Sequence, residues 1–362
     1  MSQPHAPRLP AHIPSLDGLR ALSIALVLFG HVAATQGAPA WLDRPMFTST
    51  GNIGVRFFFV VSGFLITTLM LRDVDKYGQL RFKLFYLRRS LRILPAALTY
   101  IGIMWALYLF DVIDLRYHLM SRTQGESALP DLIHALTFTA NYNHDYNWYY
   151  NHLWSLSVEE QFYLVWPLSL LVLGTRRAMW AVAAMLILPP FIRLAMSATA
   201  GPEIRLSREF QAVMDALATG CAASLLYNRL SEQRWFAWLT ATPAIPLGLA
   251  GIAAGYGAAF VSRPLAYVLG QTIANLGIAL ILLGIVRQSG GLIGRLLNAR
   301  PLVTMGTLSY SLYLWQEPFL NFQSTHWVAS FPQNLLLAFG AAWLSYRLVE
   351  RPFLKLKDRL AS

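Results

Sequence analysis

The sequence predicts an all-α protein, a polytopic membrane bundle of about ten transmembrane helices. Hydrophobic residues make up 56% of the chain and charged residues only 13%, whereas roughly a quarter of the residues in soluble domains are charged. The mean hydropathy is +0.44. Ten apolar segments have the roughly 20 residues that a crossing needs. They lie at 16–35, 53–71, 92–112, 156–174, 178–198, 209–227, 236–259, 265–286, 301–321 and 331–352.

The placement of lysine and arginine supports this count. The apolar stretch 129–142 has only fourteen residues, so we expect a re-entrant or interfacial segment there. With that stretch not crossing, 19 of the 29 cations fall in segments on the N-terminal side of the membrane, 7 on the other side and 3 within helices. The positive-inside rule then places both termini in the cytoplasm.

Charge and cysteine content narrow the function classes. The net charge of +11 comes from the excess of lysine and arginine in the predicted cytoplasmic segments, where these side chains face anionic lipid. It does not indicate nucleic-acid binding. Cys221 is the only cysteine, so neither a disulfide nor a cysteine metal cluster is expected. The N-terminus lacks the basic region of a cleavable signal peptide. We therefore predict a single integral-membrane domain over 1–362, without a fused soluble domain.

The first crossing carries Arg20 and His31 on one face. Eleven residues at about 100° each make three turns plus about 20°, which puts the two side chains roughly 16 Å apart along the helix. Asp17 falls within about 40° of the same line. Taken singly, Arg20 is typical of a headgroup anchor and His31 of a satisfied core residue. Together they indicate a functional face, since ionisable groups at membrane depth are costly.

A basic segment follows the second crossing. Arg89 and Arg92 are three residues apart and Arg88 and Arg92 four apart, so on a helix they form a fork suited to phosphate oxygens. A cytoplasmic ligand with several phosphates fits this fork. An interfacial helix whose arginines meet lipid phosphate fits it equally well.

The second crossing combines small residues with one cation. Ser62 and Gly63 are typical of close helix packing, and a nucleophilic Ser62 is not indicated because no Gly-x-Ser-x-Gly elbow is present. Arg56 is predicted near the outer mouth, where it would meet an acceptor or a carboxylate.

The outer segment 141–154 is rich in aromatic and amide side chains. That composition is typical of a sugar-binding surface and equally of an interfacial aromatic belt. His144, Asp145 and His152 match no metal-ligand spacing, so no metal site is predicted.

Two adjacent carboxylates, Glu159 and Glu160, follow that segment. We expect them to begin a membrane helix, where the helix dipole favours a carboxylate. One would cap the helix, and the other would enter the cavity and orient a histidine. The spacing of four between Ser155, Glu159 and Tyr163 favours Glu159 as the inward residue.

Two short motifs lie near the C-terminus. Gln316 and Glu317 stand near the outer end of a crossing, where a polar pair invites a functional interpretation. Glu350 and Arg351 lie at the inner edge of the membrane. There we interpret them as an ion pair or as an anchor for the end of the helix.

These segments, in this order, resemble acyltransferase family 3, the integral-membrane O-acyltransferases that acylate bacterial cell-surface sugars and related acceptors. The family often has His-x-Pro after its Tyr-Leu-Trp segment, whereas Gln316 stands at the histidine position here. The resemblance rests on Leu16 to Arg20 with His31, Phe58 to Phe64, Arg89 to Pro95, Trp154 to Tyr163, Ser309 to Trp315, and Glu350 to Pro352.

The resemblance implies ten helices in the bacterial inner (cytoplasmic) membrane and no permanently bound cofactor. Acyl-CoA, most simply acetyl-CoA, is the implied co-substrate, and the acceptor is a hydroxyl of a sugar, glycolipid or glycosylated metabolite. It implies His31 as the general base, with Glu159 and Asp17 as catalytic partners. The implied binding residues are Arg20, Arg89 and Arg92 for the phosphates, Arg56, Ser62 and Tyr163 as candidates to hold the carbonyl oxygen, and Glu160 and Trp154.

A multi-pass carrier of an acidic or phosphorylated solute is the competing class. Carriers often show internal repeats and paired broken helices, and neither is apparent in this sequence. A scaffolding membrane protein would leave the alignment of Arg20 with His31 unexplained.

The distribution of cations gives a test of topology. Cysteines introduced at Gln79 and at Gln323 in a Cys221→Ala background should label from opposite sides of the membrane, with Gln79Cys labelled from the cytoplasm. Impermeant maleimide on right-side-out and inverted vesicles makes the measurement. Labelling of both positions from one side would contradict ten crossings.

Overall fold

The computed structural model describes residues 13, 15–42, 47, 49–199 and 203–360, without the side chains of residues 175, 176 and 228. The predicted cytoplasmic N-terminus and the cations Arg8 and Arg44 lie outside the described residues, as does the Arg176 side chain. The described residues form helices, turns and two isolated β-bridges. The all-α prediction is therefore confirmed.

Sixteen α-helices are numbered here in chain order over the described residues. They are α1 Ser15–Val32, α2 Thr50–Tyr77, α3 Phe82–Leu109, α4 Leu129–Leu136, α5 Trp148–Asn151, α6 Leu153–Ser197, α7 Arg205–Arg208, α8 Phe210–Leu230, α9 Arg234–Leu239, α10 Ala244–Val261, α11 Arg263–Leu265, α12 Gln271–Arg287, α13 Leu292–Leu297, α14 Arg300–Trp315, α15 Gln333–Ser345 and α16 Arg351–Arg359. Five-residue π-helices, Ala266–Gly270 and Tyr346–Glu350, continue into α12 and α16.

Eight helical segments of the described chain are long and apolar enough to cross a membrane. Gly174, with φ of 69°, divides α6 into two of them, since glycine adopts this left-handed conformation without steric cost. The predicted crossings 301–321 and 331–352 correspond to the shorter α14 and α15, so the number ten stays a prediction. The helix α4 has eight residues, about 12 Å, which is too short to cross.

The described chain divides into two compact units. The first comprises the described parts of Met1–Leu22, Arg56–Leu80 and Phe162–Gly306, and the second comprises those of Ser23–Val55, Arg81–Gln161 and Thr307–Ser362. Four of the five boundaries fall within α1, α2, α6 and α14, and the fifth falls between α2 and α3.

Glycines set the closest helix contacts of the first unit. A Cβ added at Gly63 of α2 would lie 2.0 Å from the Leu217 carbonyl oxygen of α8, and one at Gly220 would lie 2.1 Å from the Val60 carbonyl oxygen. The two backbones therefore approach as only glycine permits. This explains Gly63, for which the sequence predicted close packing.

A buried carboxylate organises the loop around α4 in the second unit. Asp131 of α4 accepts hydrogen bonds from the Asn147 side chain at 2.7 Å and from the Asn143 side chain. His118 approaches it at 3.8 Å. Burial raises the pKa of Asp131, and these hydrogen bonds and His118 oppose the rise. Asn147 also caps α5 by accepting from the Tyr150 amide, so Asp131 fixes the loop that carries Trp148.

We expect Gly63→Ala to lower the Tm of the purified protein, because the added methyl group meets backbone that cannot move aside. The cost should be about 1–3 kcal/mol, measured by thermal unfolding in detergent. Gly257→Ala is the matched control, since no atom lies within 4 Å of its added Cβ. Equal Tm values for the two variants would contradict the close approach of α2 and α8.

Candidate active site

His31 occupies the last turn of α1, as the sequence predicted. Its ring contacts the Trp148 ring edge-on, with 5.8 Å between the ring centroids. The His31 side chain has a relative solvent exposure of 28%. It is therefore held by the protein and still accessible to a ligand.

The partners of His31 come from the end of α14. Pro318 follows Glu317, and because a residue before proline avoids the helical conformation, α14 ends at Trp315. Gln316 and Glu317 thus lie at the turn after the helix, and both side chains are fully buried. The Gln316 Oε1 lies 2.6 Å from His31 Nδ1, and a Glu317 carboxylate oxygen lies 3.6 Å from the same nitrogen.

The hydrogen-bond pattern assigns the histidine tautomer. Gln316 donates from Nε2 to Glu317 Oε2 at 2.6 Å, so its carbonyl oxygen faces His31. An amide oxygen only accepts, and His31 Nδ1 must therefore donate to it. A neutral His31 then carries its lone pair on Nε2, the nitrogen that a general base needs.

Further contacts fix Glu317 in place. Asn151 donates to Glu317 Oε1 at 3.3 Å, and the Trp148 indole donates to the Glu317 backbone carbonyl at 2.6 Å. Trp148 thus contacts both the histidine ring and the backbone beside its carboxylate. The arrangement can orient an imidazole and stabilise the positive charge that it gains on accepting a proton.

The carboxylate beside His31 is thus Glu317, whereas the sequence favoured Glu159 for this position. Glu159 and Glu160 do not begin their helix, because α6 starts at Leu153 and its first turn holds no acidic residue. That expectation was wrong: the buried apolar residues Leu156 and Val158 extend the helix toward the N-terminus. Neither carboxylate caps α6, and Glu159 lies instead 3.7 Å from the Arg89 guanidinium.

The predicted phosphate fork is arranged differently from the sequence pattern. Arg89 pairs with Glu159, while Arg88 donates to the Leu360 carbonyl at 3.3 Å after α16. Burial lowers the pKa of Lys357 on α16, and the charges of Arg92 and Arg88 lower it further. The three cations Arg88, Arg92 and Lys357 therefore share one basic surface of the second unit, and Lys357 was missing from the sequence prediction.

The remaining predicted residues lie in the first unit. Asp17 and Arg20 share α1 with His31, and the Asp17 carbonyl would lie 1.9 Å from a Cβ added at Gly306, so the start of α1 packs tightly on α14. The Ser62 and Tyr163 hydroxyls are hydrogen-bonded to each other. Arg56 donates to Asn275 at 3.0 Å.

The aromatic and amide side chains before α6 are mostly used within the second unit. Trp148, Tyr150 and Trp154 are buried, and Tyr150 donates to the Ile101 carbonyl at 3.1 Å. His152 packs edge-on against the rings of Tyr100 and Tyr313, with centroids 5.2 and 5.4 Å away. These residues build the protein interior, and they do not form an exposed sugar-binding platform.

Within the described ranges no three His, Cys, Asp or Glu side chains are grouped as metal ligands would be.

Residues 13–348 match the model of the acyltransferase domain of acyltransferase family 3. This chain belongs to that family. The match includes the site residues described above except Lys357 and Leu360, which lie beyond residue 348.

Curated relatives carry the same domain within longer proteins. The chain is 28% identical over 375 residues to O-acetyltransferase OatA of Staphylococcus aureus, covering 96% of this chain and 58% of the relative. It is 29% identical to the putative peptidoglycan O-acetyltransferase YrhL of Bacillus subtilis, covering 94% and 55%. It is 28% identical to the peptidoglycan O-acetyltransferase OatA of Listeria monocytogenes, covering 95% and 56%. The chain thus spans little more than half the length of these relatives, and no solved structure matches it.

The pairing of Arg89 with Glu159 can be measured by a double-mutant cycle. We expect Arg89→Gln and Glu159→Gln each to lower thermal stability, because each removes one charge of a partly buried ion pair. The double variant should be less destabilised than the sum of the two, with a coupling of about 0.5–3 kcal/mol.

The same cycle on Arg116 and Asp114, an exposed pair at 3.1 Å, is the control and should show a coupling below about 1 kcal/mol. Additive effects of Arg89→Gln and Glu159→Gln would mean that the two side chains do not interact in the folded protein.

Proposed function

We propose that this protein transfers an acetyl group from acetyl-CoA to a hydroxyl of a cell-wall saccharide of the peptidoglycan class, in the bacterial cytoplasmic membrane. The observation that carries the proposal is the chain His31, Gln316 and Glu317. It gives His31 a fixed tautomer with Nε2 available. Burying polar side chains inside a membrane bundle costs free energy. Ionisable residues at membrane depth therefore usually have a function.

The proposed step is a direct acyl transfer. The acceptor oxygen attacks the thioester carbonyl carbon while His31 Nε2 takes the hydroxyl proton. The carbon–sulfur bond then breaks, and the proton passes from His31 to the departing CoA thiolate. The negative charge of Glu317 stabilises the imidazolium that exists between these two transfers.

The basic surface of Arg88, Arg92 and Lys357 suits the phosphates of the donor. Burial lowers the pKa of Lys357, and the neighbouring charges of Arg92 and Arg88 lower it further. A ligand with several phosphates relieves the repulsion between these cations through charge-assisted hydrogen bonds. This surface supports a cytoplasmic acyl-CoA as the donor, in line with the positive-inside topology.

The acceptor class follows from the relatives. Two of them are named as peptidoglycan O-acetyltransferases, one of these as putative. The relatives' own substrates extend to this chain as part of the proposal.

We expect His31→Ala to lower the rate of acetyl transfer by about 10²–10⁴, the usual contribution of a general base. Glu317→Gln keeps the shape of the chain and removes its charge. It should lower kcat by about 10- to 100-fold, as a weakened orientation of the base does, with an unchanged KM for acetyl-CoA. The assay follows ¹⁴C-acetyl transfer from acetyl-CoA to soluble peptidoglycan fragments by protein in nanodiscs.

His326→Ala is the matched control, because His326 lies exposed in the loop after α14 and should leave the rate unchanged. Release of CoA without an acetylated product would retain the enzyme and reject the acceptor class. Full activity of a folded His31→Ala protein would remove His31 from the mechanism. Uptake of acetyl-CoA into proteoliposomes without turnover would favour a carrier.

A further inference from the structure

The first unit contains a second group of ionisable side chains inside its helices, apart from the residues of the proposed reaction. Arg193 of α6 and Asp215 of α8 are fully buried and form an ion pair at 3.1 Å. Arg56 of α2 is 93% buried, with a relative exposure of 7%. The two guanidiniums are close enough for their charges to repel. The group therefore holds two positive charges and one negative charge.

The single carboxylate of the group is engaged with Arg193. Both Arg193 Nη1 and Nη2 donate to Asp215 Oδ2 at 3.1 Å, and Thr272 of α12 donates to the same oxygen at 2.5 Å. Arg193 also donates to the Val268 carbonyl at 3.0 Å. The other carboxylate oxygen, Asp215 Oδ1, has no hydrogen-bond partner among the described residues. The three side chains together still carry one more positive than negative charge.

The hydrogen-bond partners of Arg56 in the described part of the chain are neutral. It donates to Asn275 Oδ1 at 3.0 Å, and the Tyr256 hydroxyl of α10 lies beside it. Asn275 is fully buried, and its Nδ2 has no acceptor among the described residues, nor has the Tyr256 hydroxyl. A buried donor without an acceptor costs about 1–3 kcal/mol.

We propose that Arg56, Asn275 and Tyr256 form a binding site for an oxyanion, a carboxylate or a phosphate group, within the membrane-embedded part of the first unit. One such group would supply the missing negative charge and accept from the two unpartnered donors. Arginine suits both chemistries because its fork binds two oxygens at once. The inference does not depend on the proposed acyl transfer.

The site lies on the same helix as the Ser62 hydroxyl. Arg56 and Ser62 are six residues apart on α2, a rise of about 9 Å, and Ser62 is hydrogen-bonded to Tyr163. The oxyanion could belong to a phospholipid headgroup or to a small water-soluble molecule such as a substrate. The two arms of the experiment below distinguish these sources.

The test is the Tm of the detergent-purified protein in sodium phosphate or sodium acetate, against sodium chloride of equal ionic strength. Either anion should raise the Tm by about 2–4 °C through preferential binding to the folded state. Arg56→Gln should abolish the rise. Asn275→Asp should abolish it too, because it places a carboxylate 3.0 Å from Arg56 and takes the place of the ligand.

Arg263→Gln, which removes an exposed cation of the same unit, should keep the full rise. A second arm compares nanodiscs of phosphatidylcholine with nanodiscs that also contain phosphatidylglycerol. Stabilisation by phosphatidylglycerol alone, lost in Arg56→Gln, would assign the oxyanion to a lipid headgroup. An absence of response in every condition, or equal responses of Arg56→Gln and Arg263→Gln, would overturn the proposal.

Discussion

The cost of a polar side chain buried among apolar helices is the constraint on which this structure depends. In a membrane no water is available to satisfy such a group, so a polar group is costly unless the protein or a ligand supplies its partner. Arg193 shows the result: its guanidinium is fully buried, and it bonds to Asp215, Thr272 and two backbone carbonyls. Such a group fixes the mutual register of the helices that contribute to it.

The same constraint builds the surroundings of His31. A histidine at the end of a membrane helix could turn either nitrogen toward its neighbours, and the two tautomers would offer different nitrogens to a ligand. Gln316 removes that choice because its amide is itself oriented by Glu317. The family histidine at position 316 would bring a second titratable group. Glutamine keeps the hydrogen bond to His31 and does not change its charge with pH.

Close backbone packing provides the frame that holds these polar groups. Gly63 and Gly220 bring α2 and α8 into backbone contact, and the hydroxyl pair Ser62 and Tyr163 lies next to that contact. The tight approach of Asp17 to Gly306 likewise fixes the start of α1, the helix whose last turn carries His31. In each case a glycine permits a close helix contact, and that contact positions a polar or ionisable side chain on one of the two helices.

The sequence by itself determined the fold class, the apolar segments and the helix that carries Asp17, Arg20 and His31, because hydropathy and helical periodicity are local properties. It also identified the family, from motifs that stand in order along the chain. Only the tertiary structure decided which polar groups meet. His31 and Gln316 are 285 positions apart, and Glu159 pairs with Arg89 because of how α3 and α6 pack. Helical periodicity predicts which face of its helix a residue occupies. Which residues contact that face depends on the packing of helices that are distant in sequence.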